Sequence, residues 1–288
     1  MISQSDVTII IPTLNRTDDQ KRAFMECIKS LNETIPEMKK IIVINGLDFQ
    51  SDFDLWGEVD KKTTSIMTLE EQGQCKAVNA AIATINTPWI FITNDDMIYA
   101  PGWWEKLTDL SWFGKEEIKA ISPMLIEPRS GAPTFIIQFF GGAGGDFNKQ
   151  SWLEYAKNWN VATSGKWKTG FNFPLLIKRK LWNTIEGYDI NYDPWGSNGD
   201  SDLEYKIKLA GIQPYQNTNC IVYHFSQTSG TFEPKNDSYR FKNYAYFKEK
   251  WGFDRTDNGI WEADFKIPTK EEGRIYFPEW ENKYTKQL

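Results

Sequence analysis

The chain has 288 residues, 40% hydrophobic and 25% charged, enough for one large folded domain, or two small ones, with a sizeable core. A formal charge of −6 disfavours nucleic acid as a partner, because a phosphate backbone is gripped by excess Lys and Arg. Three cysteines without CxxC spacing exclude a disulfide framework or zinc cluster, and no apolar run nears the roughly 18 residues of a membrane helix, so a soluble, cytoplasmic protein with no membrane span is expected.

Residues 7–11, VTIII, form a β-branched run stopped by Pro12, the pattern of a strand buried on both faces. Asp18 or Asp19 is positioned to cap a helix whose Phe24, Ile28 and Leu31 make an i, i+4, i+7 stripe. Residues 40–44 read as a second buried strand ending at Asn45-Gly46, and residues 65–67 as a short third. Residues 76–85 give a helix with Val78, Ala81, Ile82 and Ile85 inward, and residues 89–93 a strand that runs straight into Asn94-Asp95-Asp96. Strands alternating with helices imply βαβ units and a parallel sheet, in which ligands bind beyond the carboxyl ends of the strands. Asn45 and the 94–96 triplet both fall at such ends.

The second half is less regular. Residues 120–126, 134–140, 174–177 and 221–223 read as strands and 201–210 as a helix closed by Gly211. The glycine-rich stretch 141–145 lacks the spacing of a phosphate cradle and reads, with the segment to Gly165, as a mobile loop. No repeat or low-complexity linker divides the chain, which predicts one domain over 1–252, with a regular half to about residue 100 and a less regular half after it, and an extension over 253–288.

Three polar features stand out: Asp95-Asp96 after a buried strand, Asp200 and Asp202 at the start of a helix, and His224, the one histidine, at a strand end. Asp, Asp and His with open positions suit Mn²⁺ or Mg²⁺ bound together with a diphosphate, and a further carboxylate supplies a general base. Aromatic residues reach 15%, with 13 Trp, and Trp103-Trp104 beside the acidic pair suggest a stacking platform.

These landmarks follow the order of a known family. VTIIIPTLNR, IIVINGLD, EQGQCKAVNAAI, WIFITNDDM, TGFNFPLLIKRKLWNTIEGYD, GDSDLEYKIKLAG, IVYHFSQTSG and YFKEKWG resemble, in sequence order, segments of family 2 type inverting glycosyltransferases of GT-A fold, over about residues 7–252. The resemblance implies an α/β fold with a Rossmann-like, mostly parallel sheet flanked by helices. It implies transfer of a sugar from a nucleoside-diphosphate donor, UDP favoured and GDP or dTDP possible, to a glycan, protein or lipid-linked acceptor. By position in the motifs, Thr13, Asn15, Arg16, Asn45, Gly73, Asn79, Asn94 and Asp95 would bind the donor. Asp96 and His224 would hold the metal, Asp200 would be the base, and Trp103, Trp104, Trp195 and Asp202 would meet the acceptor. Asn45 stands where the family usually has Asp, Gly199 where it has the acid of a Glu-Asp pair, and Lys206 where Arg is frequent. Two rivals of other classes are a carbohydrate-binding protein with a calcium site from Asp95, Asp96 and Asp202, and a nucleotidyltransferase. The βαβ first half opposes the former and the lack of a Gly-rich loop after the first strand the latter.

Overall fold

The computed structural model describes residues 2–14, 17–46, 59, 62–70, 73–110, 117–128, 136–159, 168–226, 228 and 233–251. The predicted extension over 253–288 lies outside them, as do Asn15, Arg16 and Gly165. A large mixed sheet runs through the molecule in the order β3-β2-β1-β4-β9-β6-β10-β5. Its first half is β1 (Val7–Thr13), β2 (Lys39–Asn45), β3 (Thr64–Leu69) and β4 (Trp89–Ile92), all parallel. Its second half comprises β5 (Met97–Ile98), β6 (Ala120–Glu127), β9 (Leu175–Lys178) and β10 (Tyr215–His224), with the short β7 (Ile136–Ile137) on β6 and β8 (Lys168–Thr169) on β10. Because β9 is antiparallel to both β4 and β6, the sheet is more mixed than the alternating first hundred residues suggest.

Helices α1 (Asp18–Thr34), α2 (Gln74–Ala83), α3 (Trp103–Thr108), α4 (Lys149–Asn158), α5 (Arg179–Thr184), α6 (Gly199–Leu209) and α7 (Asp237–Trp251) complete the fold. Every residue of β1 is buried, and alternation sends its side chains to opposite faces. Val7, Ile9 and Ile11 join Ile42 and Phe91 against α1 and α3. Ile10, with Val43, Ile90 and Ile92, faces α2, α6 and α7. The helix stripe of Phe24, Ile28 and Leu31 is buried as predicted. The cap of α1 is Thr17, however, in a reciprocal capping box with Gln20, while Asp18 and Asp19 occupy the first turn.

The tryptophans after the acidic pair correct an expectation. Trp103 and Trp104 are each 2% exposed, so they cannot serve as a sugar-stacking surface. The Trp103 ring lies 4.5 Å from Tyr99 and 5.1 Å from Phe91, centroid to centroid, and its Nε1 donates to Thr34 Oγ1 at 3.0 Å. Trp104 meets Trp103 edge to face at 5.5 Å. An α3 of six residues is too short to hold itself, and this aromatic stack fixes it to β4 and α1.

Trp104→Ala is therefore expected to lower the unfolding free energy by about 3–5 kcal/mol, the usual cost of deleting a buried indole. Urea denaturation of the metal-free protein measures it. A midpoint unchanged from the parent chain would return Trp104 to the surface.

Candidate active site

The sheet gathers its polar strand ends on one edge. β1, β2 and β4 run parallel, and since β9 opposes both β4 and β6, while β10 runs with β6, all five strands share one direction. Thr13, Asn45, residues 94–96, Glu127 and His224 thus sit at, or just past, carboxyl ends. β5 then turns back antiparallel to β10 with Met97 opposite His224, which brings Asp96 alongside the imidazole. The Phe225 N–H donates to the Asp96 carbonyl at 3.1 Å and closes that pairing.

Within this edge the side chains form one connected cluster. Thr13 Oγ1 donates to Asp95 Oδ2 at 2.7 Å, so Thr13 orients Asp95. Thr228 Oγ1 donates to Asp96 Oδ2 at 2.6 Å, and Gln20 Nε2 holds the Thr228 carbonyl at 2.9 Å. His224 presents Nε2 to Asp96 Oδ1 at 3.2 Å and Nδ1 to Glu127 Oε1 at 2.5 Å. Asp96 and Glu127 are 5% and 3% exposed. Apart from that imidazole, Asp96 Oδ1 finds no hydrogen-bond partner among the described residues.

Electrostatics follow from that crowding. Burial, with the Asp96 charge beside it, pushes Asp95 up to about 7. Burial also works to raise Asp96, but the charge of His224 outweighs it and holds Asp96 below the usual carboxylate range. Burial alone would depress His224; Asp96 and Glu127 overcome it and lift the imidazole to about 10. Without a cation in place, the histidine itself is the cluster's positive charge. Glu127 and Thr228 were not singled out from the sequence. Glu127 carried the same signal as Asp95-Asp96, a carboxylate closing a strand with every residue buried.

A second group lies around the start of α2. Asn45 Oδ1 accepts from the Gly73 N–H at 2.6 Å. Asp193 caps α2, accepting from Cys75 and Lys76 N–H at 2.8 and 3.0 Å. A Cβ on Gly73 would sit 2.5 Å from Asp193 Oδ2, so glycine there makes room for the cap. The start of α6 packs on the same turn, since a Cβ on Gly199 would lie 3.4 Å from Cys75 Sγ. Asp200 is exposed on the first turn of α6, accepting from the Ser201 N–H at 2.8 Å, and half-buried Trp195 lies in the preceding loop. The N-cap of α6 is Asn198, not Asp200.

Two predicted contacts are spent on the fold. Asn79 donates to the Tyr188 carbonyl at 2.8 Å and accepts from the Tyr188 N–H at 3.0 Å, pinning the 186–189 turn rather than facing a ligand. Gly187 in that turn has φ 60°, and a Cβ there would meet Asn79 Oδ1 at 2.6 Å. Asp202 is fully buried, with Oδ1 accepting from Trp251 Nε1 at 2.9 Å and pairing Lys250 Nζ at 2.7 Å. It therefore neither meets an acceptor nor joins Asp95 and Asp96 in a calcium site. Among the described residues, no group of three or more His, Cys, Asp and Glu side chains is arranged to hold a metal by itself. Nor is any described helix long and apolar enough to cross a membrane.

Residues 8–111 match the sequence profile of glycosyl transferase family 2. No curated protein sequence matches the chain. Among solved structures, the chain is similar to the mannosyltransferase PcManGT from Pyrobaculum calidifontis, determined with GDP-Man and Mn²⁺. Identity is 15% and the TM-score 0.56, over 96% of this chain and 73% of that one. It is also similar to GalNAc-T7, determined with UDP, GalNAc and Mn²⁺, at 13% identity and TM-score 0.59, over 97% of this chain and 55% of that one. The chain thus spans just over half the length of the latter. Residues 8–111 are thus similar to glycosyl transferase family 2, and the chain shares its mixed α/β fold with two solved glycosyltransferases.

The two carboxylates of α6 are expected to separate cleanly. Asp202→Ala removes the buried acceptor shared by Trp251 and Lys250 and should cost about 3–5 kcal/mol of stability, whereas Asp200→Ala should change stability by less than about 0.5 kcal/mol. Paired denaturant curves test this, and equal losses would contradict it.

Proposed function

We propose that the chain transfers a sugar from a nucleoside diphosphate to an acceptor hydroxyl with inversion at the anomeric carbon, assisted by a divalent cation. The reading rests on one observation above all: Asp96 Oδ1 and His224 Nε2 lie 3.2 Å apart at the carboxyl edge of the sheet, and the oxygen has no other hydrogen-bond partner among the described residues. Two neighbouring ligands of an octahedral cation with bonds near 2.1 Å lie about 3.0 Å apart, which this spacing matches. Two protein ligands also suit a cation that completes its shell with phosphate oxygens and water. Asp96 and His224 would hold Mn²⁺ or Mg²⁺, which when bound neutralises charge on the departing diphosphate.

The remaining steps belong to the protein. Asn45, whose oxygen accepts from Gly73, turns its NH₂ to a carbonyl of the base, which suits uracil and does not reject guanine or thymine. Asp95, set by Thr13, faces the donor near the ribose, with Asn94 beside it. Asp200, exposed and without an ion pair among the described residues, takes the proton of the acceptor hydroxyl as its oxygen attacks. The new C–O bond forms as the bond to the diphosphate breaks, the leaving oxygen keeps the electron pair, and attack from the opposite face inverts the centre. Trp195, in the loop before α6, is the remaining candidate for stacking on the acceptor, which is a glycan, protein or lipid-linked hydroxyl. The site lies on a cytoplasmic protein in this reading.

Thermal shifts with UDP, GDP and dTDP, each with and without Mn²⁺, identify the donor base. A true ligand at a hundredfold excess over Kd stabilises by about 2.7 kcal/mol. Asp96→Ala should abolish the Mn²⁺-dependent part while the metal-free protein still folds, because the repulsion on Asp95 that it relieves offsets the contacts with His224 and Thr228 that it loses. A shift that persists with normal Mn²⁺ dependence in this variant would remove Asp96 from the reading.

Asp200→Asn keeps size and the Ser201 contact but cannot accept a proton. Donor binding should survive while kcat falls about 10²–10⁴-fold, the usual contribution of a positioned base. Near-normal turnover of the correct acceptor would require a different base.

A further inference from the structure

Glu127 is a buried carboxylate that no step above uses. It closes β6, a strand of eight buried residues, and its own side chain is 4% exposed. An acid in such a place survives only with a strong partner. Its partner is His224: Oε1 stands 2.5 Å from Nδ1, a short, charge-assisted contact. The backbone makes that meeting rigid. β6 and β10 pair in parallel with Ile126 opposite Tyr223, so the next residues along, Glu127 and His224, emerge side by side. Glu127 is fixed a second time through its carbonyl, which accepts from the Gln138 N–H at 2.9 Å.

The consequence lies at the other ring nitrogen. With Nδ1 engaged by Glu127, Nε2 is the nitrogen left to take a cation in place of a proton, and Nε2 is the atom turned toward Asp96 Oδ1 at 3.2 Å. We propose that Glu127 is the positioning residue of the metal site: it fixes the tautomer and the ring orientation of His224 so that Nε2 and Asp96 Oδ1 converge on one cation. This inference rests on the reading of Asp96 and His224 as metal ligands. Glu127 does not touch the cation; it acts through the imidazole. Thr228 does the same service for Asp96 from the other side, its hydroxyl holding Oδ2 at 2.6 Å so that Oδ1 is the free oxygen.

The chain makes the test unusually direct, because His224 is its one histidine. In full-length protein labelled with ¹⁵N-histidine, all imidazole signals belong to the site. The metal-free parent chain should show a ring N–H proton on Nδ1, far downfield and slow to exchange, as a short bond to a carboxylate requires. Glu127→Ala should abolish that signal, and Glu127→Gln, whose amide oxygen still accepts, should keep it at a less extreme shift.

Mn²⁺ alone, titrated by electron paramagnetic resonance, gives the second readout. Removing the carboxylate behind a ligating histidine typically costs about 10–100-fold in metal affinity, so Glu127→Ala should fall in that range with Glu127→Gln between it and the parent. Glu127→Gln preserves volume and decides the matter if the alanine variant fails to fold. His224→Ala separates the two ways of failing. If His224→Ala loses Mn²⁺ affinity more than tenfold while both Glu127 variants stay within twofold of the parent, the positioning role is wrong and the metal reading stands. If His224→Ala itself binds Mn²⁺ normally, the metal reading falls and takes the role of Glu127 with it.

Discussion

The site depends on one imidazole surrounded by acids. Asp96 and Glu127 both contact His224, and Asp95 stands close enough to be pushed up to about 7 by burial and by Asp96. Carboxylates brought together away from water repel and lose hydration, a cost that only a positive charge among them offsets. His224, lifted to about 10, supplies that charge in the metal-free protein. The fold accepts this strained arrangement because it is created by strand pairing that the hydrophobic core enforces. The alternation of Val7, Ile9 and Ile11 against Ile10 fixes β1 between its neighbours, and β4 and β9 then carry that register to β6 and β10. Slipping any of these strands by one residue would exchange the side chains fitted to its two packed faces, so the acids are held together by apolar packing elsewhere.

The same logic explains why so many polar residues of the motifs have turned inward. Asn45, Asn79 and Asp193 hold, respectively, the Gly73 N–H, the Tyr188 backbone and the first turn of α2. Asn45 ties the end of β2 to the turn before α2, while Asn79 and Asp193 tie α2 to the loops before α6. These bonds replace a covalent scaffold for a cleft assembled from segments more than a hundred residues apart, as the pairing of Asn79 with Tyr188 illustrates.

Much of the frame was legible in the sequence for a physical reason. Strands buried on both faces write themselves as continuous β-branched runs, so β1, β2 and β4 fell where residues 7–11, 40–44 and 89–93 indicated. The adjacency of Asp96 and His224 was legible only through the resemblance, because 128 residues separate them and no local pattern records which strands will pair. Trp103 and Trp104 misled because an exposed aromatic platform and a short buried helix share one composition. What decides is whether the neighbouring faces, here Phe91, Tyr99 and Thr34, are there to receive the rings. Glu127 was passed over because a single carboxylate at a strand end carries no periodicity, and its partner became visible only with the β6–β10 register.

The two acids of α6 show how remote packing reaches the chemistry. Residues two apart on a helix point about 200° away from each other, so burying Asp202 turns Asp200 outward. Asp202 is buried by α7: Lys250 and Trp251 bind its Oδ1, Tyr192 adds a weaker bond at 3.3 Å, and Lys206 lies 3.5 Å from Oδ2. Lys250 also pairs with Asp189, in the turn that Asn79 pins. Helix α7 thus sets the rotation of α6 about its axis, and with it the direction of the proposed base, without touching the donor edge. The proposed donor site and the proposed base are positioned by different parts of the molecule, the first by strand register and the second by the buried ion cluster around Asp202. A lesion in α7 should therefore disturb proton transfer before it disturbs nucleotide binding, since the Asp96–His224–Glu127 cluster is held by β5, β6, β10 and Thr228, while Lys250 and Trp251 hold Asp202.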